Sequence, residues 1–168
     1  MFVFVLELTR QQKGALADAM VTAEAVAQGI PVLRPVVEGA RYDLAFDLGA
    51  HGIHRVQCKW GRLENDVIVV RTSTCRVTPT RGYLRTTYGA DEVDGFGIYC
   101  GALNSCFYVP NSVVAGRSYI HLRLHPAKNN QQHGVTMAAE YQFGAIAQLG
   151  ERLTGSQKVA GSSPASST

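Results

Sequence analysis

Apolar positions along this 168-residue chain follow two rhythms. Over residues 12–28, Leu16, Met20, Val21 and Val26 recur at helical intervals in an Ala-rich background, and Gly29 and Pro31 close the run, which predicts a helix. From there the period shortens. Residues 30–36 read as a strand or extended link. Residues 42–47 (YDLAFD) and 54–60 (HRVQCKW) alternate as two short strands, and Gly49, His51 and Gly52 between them carry turn chemistry. Residues 66–71 (DVIVVR) form a dense β-branched run, expected as a buried strand. Residues 95–99, 106–109 and 119–124 read as further strands, residues 111–117 and 135–143 as short helices, and residues 2–6 as an edge strand. The Thr- and Arg-rich stretch 72–90, with Pro79 and Gly82, predicts a hairpin or long loop, and 126–133 a polar loop. The pattern describes one α/β domain with a real core, a central mixed β-sheet flanked by helices.

Side chains alternate across a strand. Gln57 and Lys59 therefore share one face of the second central strand, and Asp43, Ala45 and Asp47 share one face of the first. A carboxylate on one strand can then meet an amide oxygen and an ammonium on its neighbour. That trio can hold a hard cation and position a water. The bland alternative for Gln57 and Lys59 is an exposed strand face.

Charge is informative by position, since the net value is only +3. Eight of the thirteen acids precede residue 67, whereas residues 67–90 contain Arg71, Arg76, Arg81 and Arg85 and no acid. Residues 95–139 contain Arg117, Arg123 and Lys128 and again no acid. An acidic site backed by a basic surface suits phosphates; the competing reading is arginines that only solvate strand faces. Cys58, Cys75, Cys100 and Cys106 lack zinc spacing and are expected as buried, reduced thiols of a cytoplasmic protein. The apolar run at residues 2–6 is too short for a secretory signal, and no stretch approaches a membrane span.

Asp43, then Gln57-x-Lys59, resembles the D…(E/Q)xK motif of the PD-(D/E)XK nucleases. Lys13-Gly14-Ala15-Leu16-Ala17-Asp18 resembles the KGxxAE entry to that family's first helix, and Gly29-Ile30-Pro31-Val32-Leu33-Arg34-Pro35 its G-x-x-V-x-x-P link into the catalytic strand. The group I intron-associated branch is the most similar, with further likeness at Tyr99-Cys100, Tyr108-Val109-Pro110, Leu122-Arg123-Leu124 and Asn130-Gln131. The resemblance spans residues 11–143. It implies a Mg²⁺-dependent, sequence-specific endonuclease of homing or mobile-element type, with Mn²⁺ as a possible substitute. It implies double-stranded DNA as substrate and a homodimer or homotetramer. Asp43 would be the principal metal ligand, joined by Asp18, Gln57 and the backbone carbonyl of Cys58, and Lys59 would act on the attacking water. Asp18 is one methylene shorter than the family's usual Glu, and Glu24, about 120° further round the helix, is the alternative helix carboxylate. Arg71, Arg76, Arg81, Arg85, Arg123 and Lys128 are the candidate DNA contacts. A DNA-binding module without catalysis, and a restriction, repair or junction nuclease, are the rival readings.

Residues 144–168 change character, being rich in Gly, Ser, Ala and Thr with little to bury. They read as a low-complexity tail after the nuclease domain at 1–143. Residues 147–152 (AQLGER) and 161–164 (GSSP) can be encoded by the D-arm and T-arm of a tRNA gene, so the tail reads as a reading frame running into one.

Overall fold

A computed structural model describes residues 7–78, 80, 82–126 and 135–145 of the chain. Its one long helix, α1 (Arg10–Ala27), starts two residues earlier than the apolar rhythm indicates. The reason is a capping box. The Thr9 hydroxyl accepts the Gln12 N–H at 3.2 Å, and the Gln12 side chain accepts the Thr9 N–H at 2.9 Å, so two orphan donors of the first turn are satisfied. Gly29, with φ +75°, turns the chain out of the helix.

The strands follow in order: β1 (Val32–Leu33), β2 (Leu44–Asp47), β3 (Ile53–Glu64), β4 (Val67–Arg71), β5 (Ser73–Thr78), β6 (Gly82–Thr87), β7 (Gly95–Cys100), β8 (Ser105–Pro110), β9 (Tyr119–Arg123) and β10 (Thr136–Met137). A short helix, α2 (Asn111–Val114), sits between β8 and β9. Among the described residues, eight strands form one mixed sheet along the path β1-β2-β3-β4-β9-β10, with β7 on β3 and β8 on β7, while β5 and β6 pair only with each other.

β3 organises the sheet. Val56 pairs with Leu44 of β2 and with Gly95 of β7, and Gly61 pairs with Val70 of β4 and with Cys100 of β7. β7 runs parallel along one edge, so β2 and β4 must share the other edge in succession. Between them, residues 57–60 have no strand partner on that edge among the described residues. This gap is where the candidate site lies.

The two faces are covered differently. One packs against α1, through Ala17, Val21 and Ala25, over Leu44, Phe46, Val56, Cys58, Tyr99 and Tyr108. The close approach depends on Gly97 of β7: a Cβ there would stand 2.6 Å from Cγ1 of Val21. The other face buries Ile68, Val70, Phe96, Ile98, Phe107, Ile120 and Leu122 beneath Tyr88, Val93, Val114 and Ala138. That cover is turns and the four-residue α2, so among the described residues the expected flanking helices are one long helix on one face and the short α2 on the other.

Other expectations shift. β2 begins at Leu44 and β3 runs on to Glu64. β4 alternates between buried and half-buried positions because it lies between β3 and β9 with one face open. Residues 135–143 form no α-helix: Thr136 and Met137 pair in parallel with Leu122 and Arg123, and 3-10 turns follow at Ala138–Tyr141 and Phe143–Ala145. Cys58, Cys100 and Cys106 are buried and free, but Cys75 is exposed, because it lies on the hairpin rather than in the core. The edge strand at 2–6, most of the loop at 126–133 and nearly all of the tail lie outside the described residues. Among the described residues, no helix is long and apolar enough to cross a membrane.

Candidate active site

Asp43 immediately precedes β2, and its N–H donates to Val56 O at 2.9 Å. Its side chain turns into the gap on β3. The Cys58 N–H, which has no strand partner there, donates to Asp43 Oδ2 at 2.8 Å, and the Gln57 amide nitrogen donates to the same oxygen. The carboxylate thus substitutes for a missing ladder partner. In a strand the N–H and C=O of one residue face the same edge, so the Cys58 carbonyl opens into the same gap. Burial pushes the Asp43 carboxyl above its ordinary range, against the opposing pull of the Cys58 N–H, the Lys59 charge and the Gln57 amide.

Lys59 is on the same strand face as Gln57, two residues on. Its ammonium donates to Tyr88 Oη at 3.2 Å and stands 5.0 Å from the centre of the Tyr88 ring. Burial lowers its pKa, with Asp43 opposing that trend and the charges of Arg41 and Arg71 adding to it. Arg41 lies 4.4 Å from the centre of the same ring. It is held by Glu92 through contacts of 2.7 and 3.1 Å and by Thr87 O at 3.0 Å. Tyr88 is therefore a buried platform touched by two cations, only 7% exposed. Tyr88→Phe removes the acceptor but keeps the ring. We expect cleavage to slow through kcat, by roughly tenfold for one lost hydrogen bond to a charged group, with KM and melting temperature little changed. An unchanged kcat in steady-state cleavage assays would remove Tyr88 from the site.

Asp18 projects from α1 into a cleft that Asp43 also lines. It is gripped by Arg34, whose Nη1 and Nη2 reach Oδ2 and Oδ1 at 2.9 Å each. Arg34 Nη2 also donates to the Thr22 hydroxyl at 2.9 Å. Glu24 instead accepts from Gln28 Nε2 at 2.9 Å, a bond within the helix region away from Asp43. Between α1 and the segment after β1 opens a cleft of about 290 Å³, lined by Asp18, Arg34, residues 35–40, Tyr42 and Asp43.

The structure thus brings Asp43, Gln57 and Lys59 together and sets Asp18 across the cleft. Of the candidate DNA contacts, Arg71 and Arg85 are exposed, Arg71 at the end of β4 and Arg85 on β6. Arg123 is half-buried and pairs with Val67, at the opposite end of β4 from Arg71. Arg81 and Lys128 lie outside the described residues, as does the side chain of Arg76. Tyr88, Arg41 and Arg34 are the additions that sequence reasoning missed. The only available signal was Arg34 itself, inside the link before β2.

Among the described residues, no group of three or more His, Cys, Asp or Glu could hold a metal ion. The donors gathered here are of another composition: two carboxylates, one amide and one backbone carbonyl. All are hard oxygen donors of the kind Mg²⁺ accepts, and the half-buried Asp43 carboxylate stands in the β3 gap beside the Cys58 backbone. The residues therefore fit a divalent cation. The Gln57 amide must present its oxygen, rather than the nitrogen it now donates, to join such a set.

The chain matches the family described as PD-(D/E)XK endonuclease over residues 8–144. Its structure is similar to one described as "The structure of a bacterial homing endonuclease: I-Ssp6803I", with a TM-score of 0.64 and 23% identity, covering 89% of this chain and 100% of that one. No curated protein matches it by sequence.

Proposed function

This chain belongs to the PD-(D/E)XK endonuclease family, and from that premise we propose that it cuts double-stranded DNA at a defined sequence with a divalent cation, as a homing or mobile-element endonuclease. Mg²⁺ is the proposed ion, with Mn²⁺ as substitute. The observation that carries the reading is Asp43 filling the β3 gap against Gln57 and Cys58, with the Lys59 ammonium on the same strand face. The similar fold of a bacterial homing endonuclease supports it.

Asp43 would hold the ion together with the Gln57 amide oxygen and the Cys58 carbonyl, and Asp18 from across the cleft. When bound, a divalent ion neutralises phosphate charge and raises the acidity of a coordinated water. The chain's own residues do the rest. Lys59, oriented by Tyr88, supplies positive charge where negative charge develops on the oxygens of a pentacoordinate phosphorus. The depressed basicity of Lys59 also favours its taking part in proton transfer. Arg71 and Arg85, with Arg76, Arg81, Arg123 and Lys128, would contact the DNA backbone. One site cuts one strand, so double-strand cleavage needs two copies, in a homodimer or homotetramer. We place its action in the cytoplasm and assign the reaction to residues 1–143, with 144–168 dispensable.

The test is plasmid cleavage by purified protein across a library of inserted sequences. Cleavage at one sequence, abolished by a chelator and restored by Mg²⁺ or Mn²⁺, is expected. One observation favours a second reading, a DNA-binding module that no longer cuts: Asp18 is tied to Arg34, and Gln57 now presents N–H to Asp43. Sequence-specific binding without metal-dependent nicking in the same assay would establish that reading instead.

A further inference from the structure

We propose that Arg34 is a latch shared between the helix carboxylate and the DNA: it occupies Asp18 in the free protein and transfers to a backbone phosphate when the duplex arrives. This rests on the nuclease reading. The fork of the guanidinium matches a carboxylate or a phosphate equally well, two N–H bonds to two oxygens. In the free protein it takes both oxygens of Asp18 at 2.9 Å. Both lone-pair sets that would face a cation are thereby engaged, and a positive charge stands where the ion would approach.

The contact is built to be exchanged. The Arg34 side chain is 51% exposed and that of Asp18 29% exposed, so water screens the pair and separating it is cheap. Arg34 follows β1 and opens the segment 35–40, which forms the outer wall of the cleft and carries Val36 and Val37 fully or largely exposed. Arg34 is the cation among the residues lining the cleft, and its exposed side chain is open to an entering phosphate. Its departure from Asp18 leaves the carboxylate free, with Thr22 still hydrogen-bonded to the backbone oxygen of Asp18 at 2.8 Å to hold that turn of α1. Cation capture is thus made conditional on DNA.

The experiment measures Mg²⁺ binding by titration calorimetry, with and without a short duplex, for wild type, Arg34→Ala and Arg34→Lys. Without DNA, Arg34→Ala should bind Mg²⁺ about two- to fivefold more tightly than wild type, as expected for freeing a half-exposed ion pair. Arg34→Lys, which keeps the charge but not the fork, should fall between. The duplex should tighten Mg²⁺ binding in wild type and leave Arg34→Ala unchanged. Arg34→Ala should also lower the salt dependence of duplex binding by about one unit of slope. Equal Mg²⁺ affinity in wild type and Arg34→Ala without DNA would overturn the latch. So would an unchanged salt slope. Failure of wild type to bind any duplex would defeat the nuclease reading alone, because the comparison without DNA still decides what Arg34 does to Asp18.

Discussion

Asp43→Asn combined with Lys59→Met gives a protein that folds, binds duplex DNA and cuts it at least about a thousandfold more slowly than wild type, while melting at the same temperature or higher. The loss of rate follows from removing both the carboxylate in the β3 gap and the ammonium beside it, each a group of the kind whose deletion slows catalysis about a hundred- to a thousandfold. The gain or neutrality in stability follows from the sign of the two pKa shifts. Burial raises the folded pKa of Asp43 above its unfolded value, so the folded state holds that proton more tightly. Stability therefore falls as pH rises from the unfolded carboxylate range, near about 3.9, through the folded pKa. Burial lowers the folded pKa of Lys59, so stability is reduced below that pKa and recovers as pH rises through it toward the unfolded value. Burial thus disfavours the charged form of each group, and neutral side chains of similar shape relieve this. The pair must be changed together, since either single variant strips the remaining charge of its partner. Plasmid cleavage and thermal unfolding check the two halves. Wild-type cleavage would dismiss the site, and a large drop in melting temperature would show that the pair holds the sheet together.

Gly97→Ala should destabilise the fold by about 1–3 kcal/mol, the usual range for overpacking, and should lower cleavage by more than the unfolded fraction explains. The added methyl would stand 2.6 Å from one Val21 methyl and 3.3 Å from Cγ1 of Val56. Both neighbours are fully buried, so neither can swing into solvent. The helix must lift, and with it Asp18, one turn before Val21 on the same helix. The compensating change is Val21→Ala. Alone it leaves a cavity and destabilises. In the Gly97→Ala, Val21→Ala double variant the methyl fills that cavity, so the two losses should not add. Urea unfolding of the four proteins measures the coupling. Simple additivity would show that α1 does not rest on Gly97 as its geometry indicates.

The strands around the site were legible because their signal is local. Alternation placed Gln57 and Lys59 on one face, and β-branched density placed β4, without knowledge of the rest of the fold. The spacing of Asp43 and Gln57 on either side of a turn was enough to bring them together. The missed residues share a different property. Lys59 and Tyr88 are 29 positions apart, Arg41 and Glu92 are 51 apart, and Asp18 and Arg34 are 16 apart with a helix end between them. No short-range rhythm records such meetings; they exist only once β3 has recruited β7 and the chain between them has returned. Residues 135–143 failed for the opposite reason. A few apolar positions fit either period, and what makes Thr136 and Met137 a strand is the open edge of β9.

The separate pairing of β5 and β6 leaves the described part of this ribbon freer to accept replacements than the packed sheet. At one foot of the hairpin, Thr72 is fully buried, its N–H on Ser118 O and its hydroxyl on Arg117 O. At the other foot stands Tyr88. Between 74 and 87, none of the described side chains is buried. Apart from Thr74, whose side chain hydrogen-bonds Tyr88, replacements at the described exposed positions disturb neither sheet nor helix and answer chiefly to what the ribbon meets outside the protein. New ribbons can thus be carried on a frame whose packed sheet tolerates little revision, and chains that differ at the described exposed positions of the ribbon would still be recognisable by the strand on which Gln57 and Lys59 sit.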